Sequence, residues 1–306
     1  MKKILLQCFV FSLLLNLVFP YSVSASSIYV NAPSNEVSKG RYIYYSKLAG
    51  DLKRYDTKTG KKKVILSNRN TNGYFKLSIV GDNLYYVWDK YYGTDSSSGY
   101  LYQLNLKTGK KKYLDCSNDY VIQDGWIYYK KNRLEKTPDY IDTITVGLYK
   151  MKLDGSQKTK LSSLQPYAME MIGIGKNILY FCTSGSDEST YYQYDILNKK
   201  MSKTEEPKEV YHQFTGQDLY YSTIKVKQGN TIYDIKKGKL YKKEKGKPEV
   251  QYPVSGVSKF TVFKDYIYVT AIVDYYIEKD KAYNIHTYCV NKDGTSLAFV
   301  DRFSIP

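Results

Sequence analysis

A chain of 306 residues with a net charge of +16 is long enough for one large domain and too lysine-rich for a neutral scaffold. Only five of its 46 basic residues are arginine, so the planar fork that grips a base edge or a phosphate is scarce. That excludes specific nucleic-acid recognition as the leading reading and favours diffuse attraction to a polyanion.

From the start of the chain, Lys2 and Lys3 precede an apolar run over 4–18, Pro20 breaks it, and Val23-Ser24-Ala25 places small residues before a cleavage point. Residues 1–25 are therefore expected to be a signal peptide, too short for a retained span of about 20 residues, with the mature chain exported and without a transmembrane segment. Residues 26–306 are expected to form a single domain. Cys8 leaves with the leader, and Cys116, Cys182 and Cys289 are an odd number at low density, expected to be free.

An aromatic or aliphatic pair then recurs roughly every 45 residues: Tyr44-Tyr45, Tyr85-Tyr86, Tyr128-Tyr129, Tyr180-Phe181, Tyr220-Tyr221 and Tyr268-Val269. Each follows turn chemistry such as Gly81-Asp82-Asn83 or Asp124-Gly125, residues that tolerate the positive φ of tight hairpins. A leading strand comes before each pair, and a third strand after it ends in a turn such as Lys107-Thr108-Gly109 before a short fourth strand. Helical periodicity is absent, so the expectation is all-β: a six-bladed β-propeller of four-stranded antiparallel blades. The blades span approximately 28–68, 74–116, 119–163, 169–207, 210–253 and 259–303. Most tyrosines are expected to fill the wedges between blades. Residues 28–30 or 303–305 are candidates for a strand lent to the other terminal blade to close the ring.

Residues 147–161, GLYKMKLDGSQKTKL, together with DGWIYY at 124–129, resemble the YWTD-type propeller repeat of low-density-lipoprotein-receptor-related proteins. They are closer still to a bacterial secreted propeller domain of unknown function that is similar to that repeat. Tyr-Tyr stands where the family has Tyr-Trp, so the calcium and receptor chemistry of the animal relatives is not carried over. The resemblance implies a six-bladed propeller that binds something.

In a meander of strands a to d, the a–b and c–d turns share one end of the disc, and the b–c and d–a connections share the other. The c–d turns carry Lys61, Lys62, Lys63, Lys110, Lys111 and Lys112, a candidate polyanion face for an anionic cell-envelope polymer. The b–c connections, read as 89–99, 131–145, 225–237 and 273–282, carry Tyr91, Tyr92, Tyr140, Tyr233, Tyr275 and Tyr276. Loops over a rigid scaffold are where specificity resides, so these tyrosines are the candidate face for a protein or glycan.

For catalysis, His212 and His286 lack partners at metal-ligand spacing, and no nucleophile elbow, HExxH or phosphate loop occurs. No cofactor, metal or catalytic residue is assigned. The leading reading is a non-catalytic interaction module at a bacterial cell surface. The alternative is an extracellular polysaccharide hydrolase or lyase whose paired carboxyls converge on the channel, among Asp89, Asp95, Glu135, Asp139, Asp142, Asp187, Glu188 and Asp274.

Overall fold

The computed structural model describes residues 28–30, 33–46, 50–68, 73–91, 97–136, 141–162, 168–184, 189–206, 210–212, 225–275 and 283–305. Its elements are strands alone. Six antiparallel meanders follow one another, and the four strands of each are called a to d in chain order. The first sheet comprises Glu36–Lys39, Tyr42–Tyr45, Leu52–Asp56 and Lys62–Leu66, and the second Tyr74–Val80, Asn83–Tyr91, Ser97–Asn105 and Lys111–Cys116. The third comprises Tyr120–Gln123, Trp126–Lys136, Ile141–Lys152 and Thr159–Ser162, and the fourth Ala168–Gly175, Ile178–Ser184, Ser189–Asp195 and Lys200–Thr204. The fifth has Lys225–Gln228, Thr231–Lys236, Lys239–Glu244 and Val250–Ser255, and the sixth Val257–Val262, Tyr266–Tyr275, Tyr283–Asn291 and Leu297–Ile305. No helix among the described residues is long and apolar enough to cross a membrane.

The repeat sets the packing. The second position of most b strands is aliphatic, and Ile43, Leu84, Ile127 and Ile267 are buried. In the c strands Leu52, Leu101, Leu148 and Leu240 are buried too. Truncating one such leucine to alanine costs about 2–5 kcal/mol. These residues join tyrosines into cores that each bridge two sheets: first to second, second to third, third to fourth, fifth to sixth, and sixth back to first. Between the fourth and fifth, the strand Ile28–Val30 lies beside Ala168–Gly175. The sheets thus form a closed ring, the six-bladed β-propeller expected from the repeat.

Two local expectations differ from the fold. Ile28–Val30 is lent to neither terminal blade; it pairs in parallel with Val210–His212, extending the fifth sheet to six strands. Residues 303–305 stay in their own sheet, opposite the strand beginning at Tyr283. The ring closes through side chains instead. Residues 225–237 are not a b–c connection either: they are the a and b strands of the fifth sheet, turning at Gly229-Asn230. The pair Tyr220-Tyr221 lies outside the described residues, as does the expected leader. One glycine is dictated by this frame. Gly256 links the fifth and sixth sheets at φ +69°, and a Cβ there would stand 2.2 Å from the Ile272 carbonyl oxygen.

Candidate functional site

The a–b and c–d turns lie together. In five sheets a residue just past the c strand donates its N–H to the a–b turn: Thr57 to Arg41, Leu106 to Asp82, Ile196 to Asn177, Lys245 to Asn230 and Lys292 to Asp265. In the first, second and fourth sheets the c–d turn is built by an Asp or Asn that ends the c strand and accepts backbone N–H groups two or three residues on. Asp56 accepts from Lys58, Asn105 from Lys107 and Thr108, Asp195 from Leu197 and Asn198. The lysines that follow are thereby projected outward from a rigid turn.

Six of those lysines were the candidate polyanion face, and they divide into two groups. Lys61, Lys63 and Lys110 are exposed, and none of their ammonium groups has a partner among the described residues. Lys62 reaches Asp301 at 3.8 Å, Lys111 sits 5.2 Å over the Tyr102 ring, and Lys112 donates to the Asp154 carbonyl at 2.6 Å. The carboxylates at this end are engaged locally. Hydrogen bonds from Lys107 and Lys39 lower the pKa of Asp82, and those from Ser156 lower that of Asp154. Lys61, Lys63 and Lys110, with Lys58, Lys199 and Lys243, stand exposed on this end.

The candidate tyrosine face is less complete. Tyr92, Tyr140 and Tyr276 lie outside the described residues. Tyr91 ends one b strand and Tyr275 another, so the described parts of the expected loops, 89–91, 97–99 and 273–275, are strand extensions. Tyr233 sits in the core between the fifth and sixth sheets at 2% exposure and presents nothing to a ligand. Its mistaken placement follows from reading 225–237 as a connection. Of the carboxyls considered for catalysis, Asp89 and Glu135 lie in b strands, Asp142 in a c strand, and Glu135 faces Arg133 at 3.9 Å.

Two hollows open between the sheets. A cavity of about 710 Å³ runs along the a strands, walled by Val37, Ser38, Ser78 and Ile122, with Lys264 and Lys292 near the a–b turns. No carboxyl stands among its described lining residues. A second, of about 240 Å³, lies between the d strand of the first sheet and the flank of the second, lined by Asn68, Tyr74, Tyr86, Trp88, Tyr102 and Lys111, with Ser67 beside them.

Sequence reasoning missed the ion pairs that hold the ring. Near the starts of the a strands Lys259 meets Glu36 at 3.2 Å, both buried, and Thr261 and Ser34 donate to the same carboxylate. Lys76 meets Asp119 at 2.6 Å, and Asp119 accepts the Met171 N–H at 2.8 Å. A second device joins d strands to the next b strand: Tyr129 donates to Asp115 at 2.8 Å, and Tyr45 to Asp301 at 3.3 Å. Lysines complete each one, Lys158 on Asp115 at 2.9 Å and Lys53 on Asp301 at 3.2 Å. Burial pushes the thiols of Cys182 and Cys289 up to about 11 and about 12, and all three described cysteines are unpaired. No group of three or more metal-ligating side chains occurs among the described residues.

No family model and no curated protein matches this chain. Solved structures that are similar include a nidogen/laminin complex, 10% identical over 86% of this chain and 93% of the other, TM-score 0.46. A putative TolB from Agrobacterium tumefaciens is 12% identical over 85% and 90%, TM-score 0.45. An oligogalacturonate lyase in complex with manganese is 12% identical over 76% and 70%, TM-score 0.37. At these identities and scores the likenesses carry no argument about chemistry, and the propeller rests on its own sheets.

Proposed function

We propose that this chain is a secreted, non-catalytic interaction module at a bacterial cell surface. Its lysine-bearing end associates with anionic envelope polymer, and its b–c end presents the contact for a protein or glycan. The observation that carries the reading is the set Lys61, Lys63 and Lys110, exposed on rigid turns at the end where the a–b turns also gather. Cations fixed around one end of a disc add their fields, which favours long anions and makes association sensitive to ionic strength.

The test is retention of the full chain on isolated bacterial envelopes and on polygalacturonate beads at low and moderate salt. The comparison is the variant Lys61→Glu, Lys63→Glu, Lys110→Glu, which leaves the neighbour-bound Lys62, Lys111 and Lys112 in place. Retention should fall about tenfold or more in the variant, and in wild type with added salt. Retention unchanged by either would overturn the electrostatic half of the proposal.

A further inference from the structure

The hollow between the first and second sheets has a structural cause. At the position where the second and sixth sheets carry Asp115 and Asp301, the d strand of the first sheet carries Leu66. Without that carboxylate, the facing Tyr86 has no acid to bind across the gap. It packs instead among aromatic rings of its own sheet. Tyr86 stacks on Tyr102 at 5.7 Å and 13°, Tyr74 meets Tyr86 edge-on at 5.6 Å, and Trp88 meets Tyr102 at 6.2 Å and 65°. The result is an aromatic wall facing open space.

Three features limit what fits there. The hollow, of about 240 Å³, has room for one six-membered ring with its substituents. The Lys111 ammonium already lies over Tyr102, so a cationic guest would meet a like charge where an aromatic cage would otherwise welcome it. The Asn68 side-chain Nδ2 is buried with no hydrogen-bond partner among the described residues, while its backbone N–H donates to Asp51 at 2.7 Å. A guest hydroxyl set against that donor would satisfy it, which a purely apolar guest would not do.

We infer that this hollow binds a single pyranose ring bearing a carboxylate. The C–H face of the sugar lies on Trp88 beside the edge of Tyr102, a ring hydroxyl accepts from Asn68 Nδ2, and the carboxylate pairs with Lys111. The inference deepens the binding-module reading, on which it rests for its biological setting, and names the ligand class as an acidic glycan.

The experiment titrates the full chain with methyl glucuronide, methyl glucoside and choline, following the indole N–H resonances of Trp88 and Trp126 by NMR. Methyl glucuronide should shift the Trp88 signal and leave that of Trp126 unmoved. The neutral glucoside should bind about tenfold more weakly, the loss expected for one charged contact, and choline should not bind. Lys111→Gln should erase the preference for the acidic sugar, and Trp88→Ala should abolish binding. Should Trp88→Ala fail to fold, the Lys111→Gln preference decides alone. Choline binding, an equal affinity for both sugars in wild type, or no Trp88 shift at saturating glucuronide would overturn the inference. The Lys61, Lys63, Lys110→Glu variant should keep its uronide affinity. Loss of polymer retention with uronide binding intact, or the reverse, therefore separates failure of this inference from failure of the polymer reading.

Discussion

Two junctions of the same ring are built differently. Between the sixth and first sheets, Asp301 accepts the Tyr45 hydroxyl and pairs with Lys53, while Glu36 and Lys259 form a buried pair nearby. Between the first and second sheets, Leu66 stands where an acid would be, and the flank opens into an aromatic hollow. The first junction joins residues more than 220 positions apart and has no chain connection to help it. The second is tethered by the chain itself. Where covalent continuity already holds two blades together, the interface is free to carry a cavity. Where it does not, directional ion pairs and hydrogen bonds close the ring, and the tethered second-to-third junction keeps the same device in Asp115, Tyr129 and Lys158.

The largest effect should come from breaking the buried pair at the closing junction. Glu36→Ala takes the carboxylate away from the Lys259 ammonium, which is 6% exposed, and removal of one partner of a buried pair costs about 3–5 kcal/mol, read by urea unfolding. Next comes Asp301→Leu, which gives the closing junction the residue found at the open one. It removes the acceptor of the buried Tyr45 hydroxyl, and a loss of about 1–3 kcal/mol is expected. The open junction already carries Leu66 at this position, so no such loss applies there, and urea unfolding of Asp301→Leu against wild type reads the difference.

A pH effect sharpens the same contrast at the second-to-third junction. Burial acts to raise the Asp115 pKa, but hydrogen bonds from Lys158 and Tyr129, with the Lys158 charge, outweigh it and hold the carboxyl below its ordinary value. A group depressed in the folded state stabilises fully above its unfolded pKa of about 3.9, and that contribution is lost as pH falls through the lower folded value. Acid unfolding of Asp115→Asn should therefore be less steep below about pH 4 than that of wild type, at the expense of lower stability near neutrality. The smallest effect on stability should come from Lys61→Glu, Lys63→Glu and Lys110→Glu together. Exposed substitutions away from partners stay within about 0.5 kcal/mol each, so the melting curve should barely move while polymer retention drops.

Much of the ring was legible because its physics is local and repeated. Gly81-Asp82 and Asp124-Gly125 announce their hairpins, and the spacing of the tyrosine pairs sets the b strands of the second and third sheets where they are found. The fifth sheet was misread because Thr231–Lys236, with Ile232, Tyr233 and Ile235, makes its own b strand without a tyrosine pair. Exposed lysines in turns could be seen in the sequence. Which of them are bound by a neighbour could not, because Lys112 finds Asp154 and Lys62 finds Asp301 only once the blades meet. A faint signal for the closing device existed. Leu114-Asp115 and Val300-Asp301 lie in the fourth strands of units whose successors, around the ring, carry a full Tyr-Tyr pair. The first unit lacks that acid, and the hollow is the consequence.

A shared cationic end requires that the first and sixth sheets meet, and a double-mutant cycle on Glu36 and Lys259 tests that most directly. Glu36→Gln, Lys259→Met and the double variant, compared by urea unfolding, should show a coupling of about 0.5–3 kcal/mol between residues at opposite ends of the chain. Effects that add to within about 0.3–0.5 kcal/mol would mean that the two sheets do not touch there, and would contradict the closed ring.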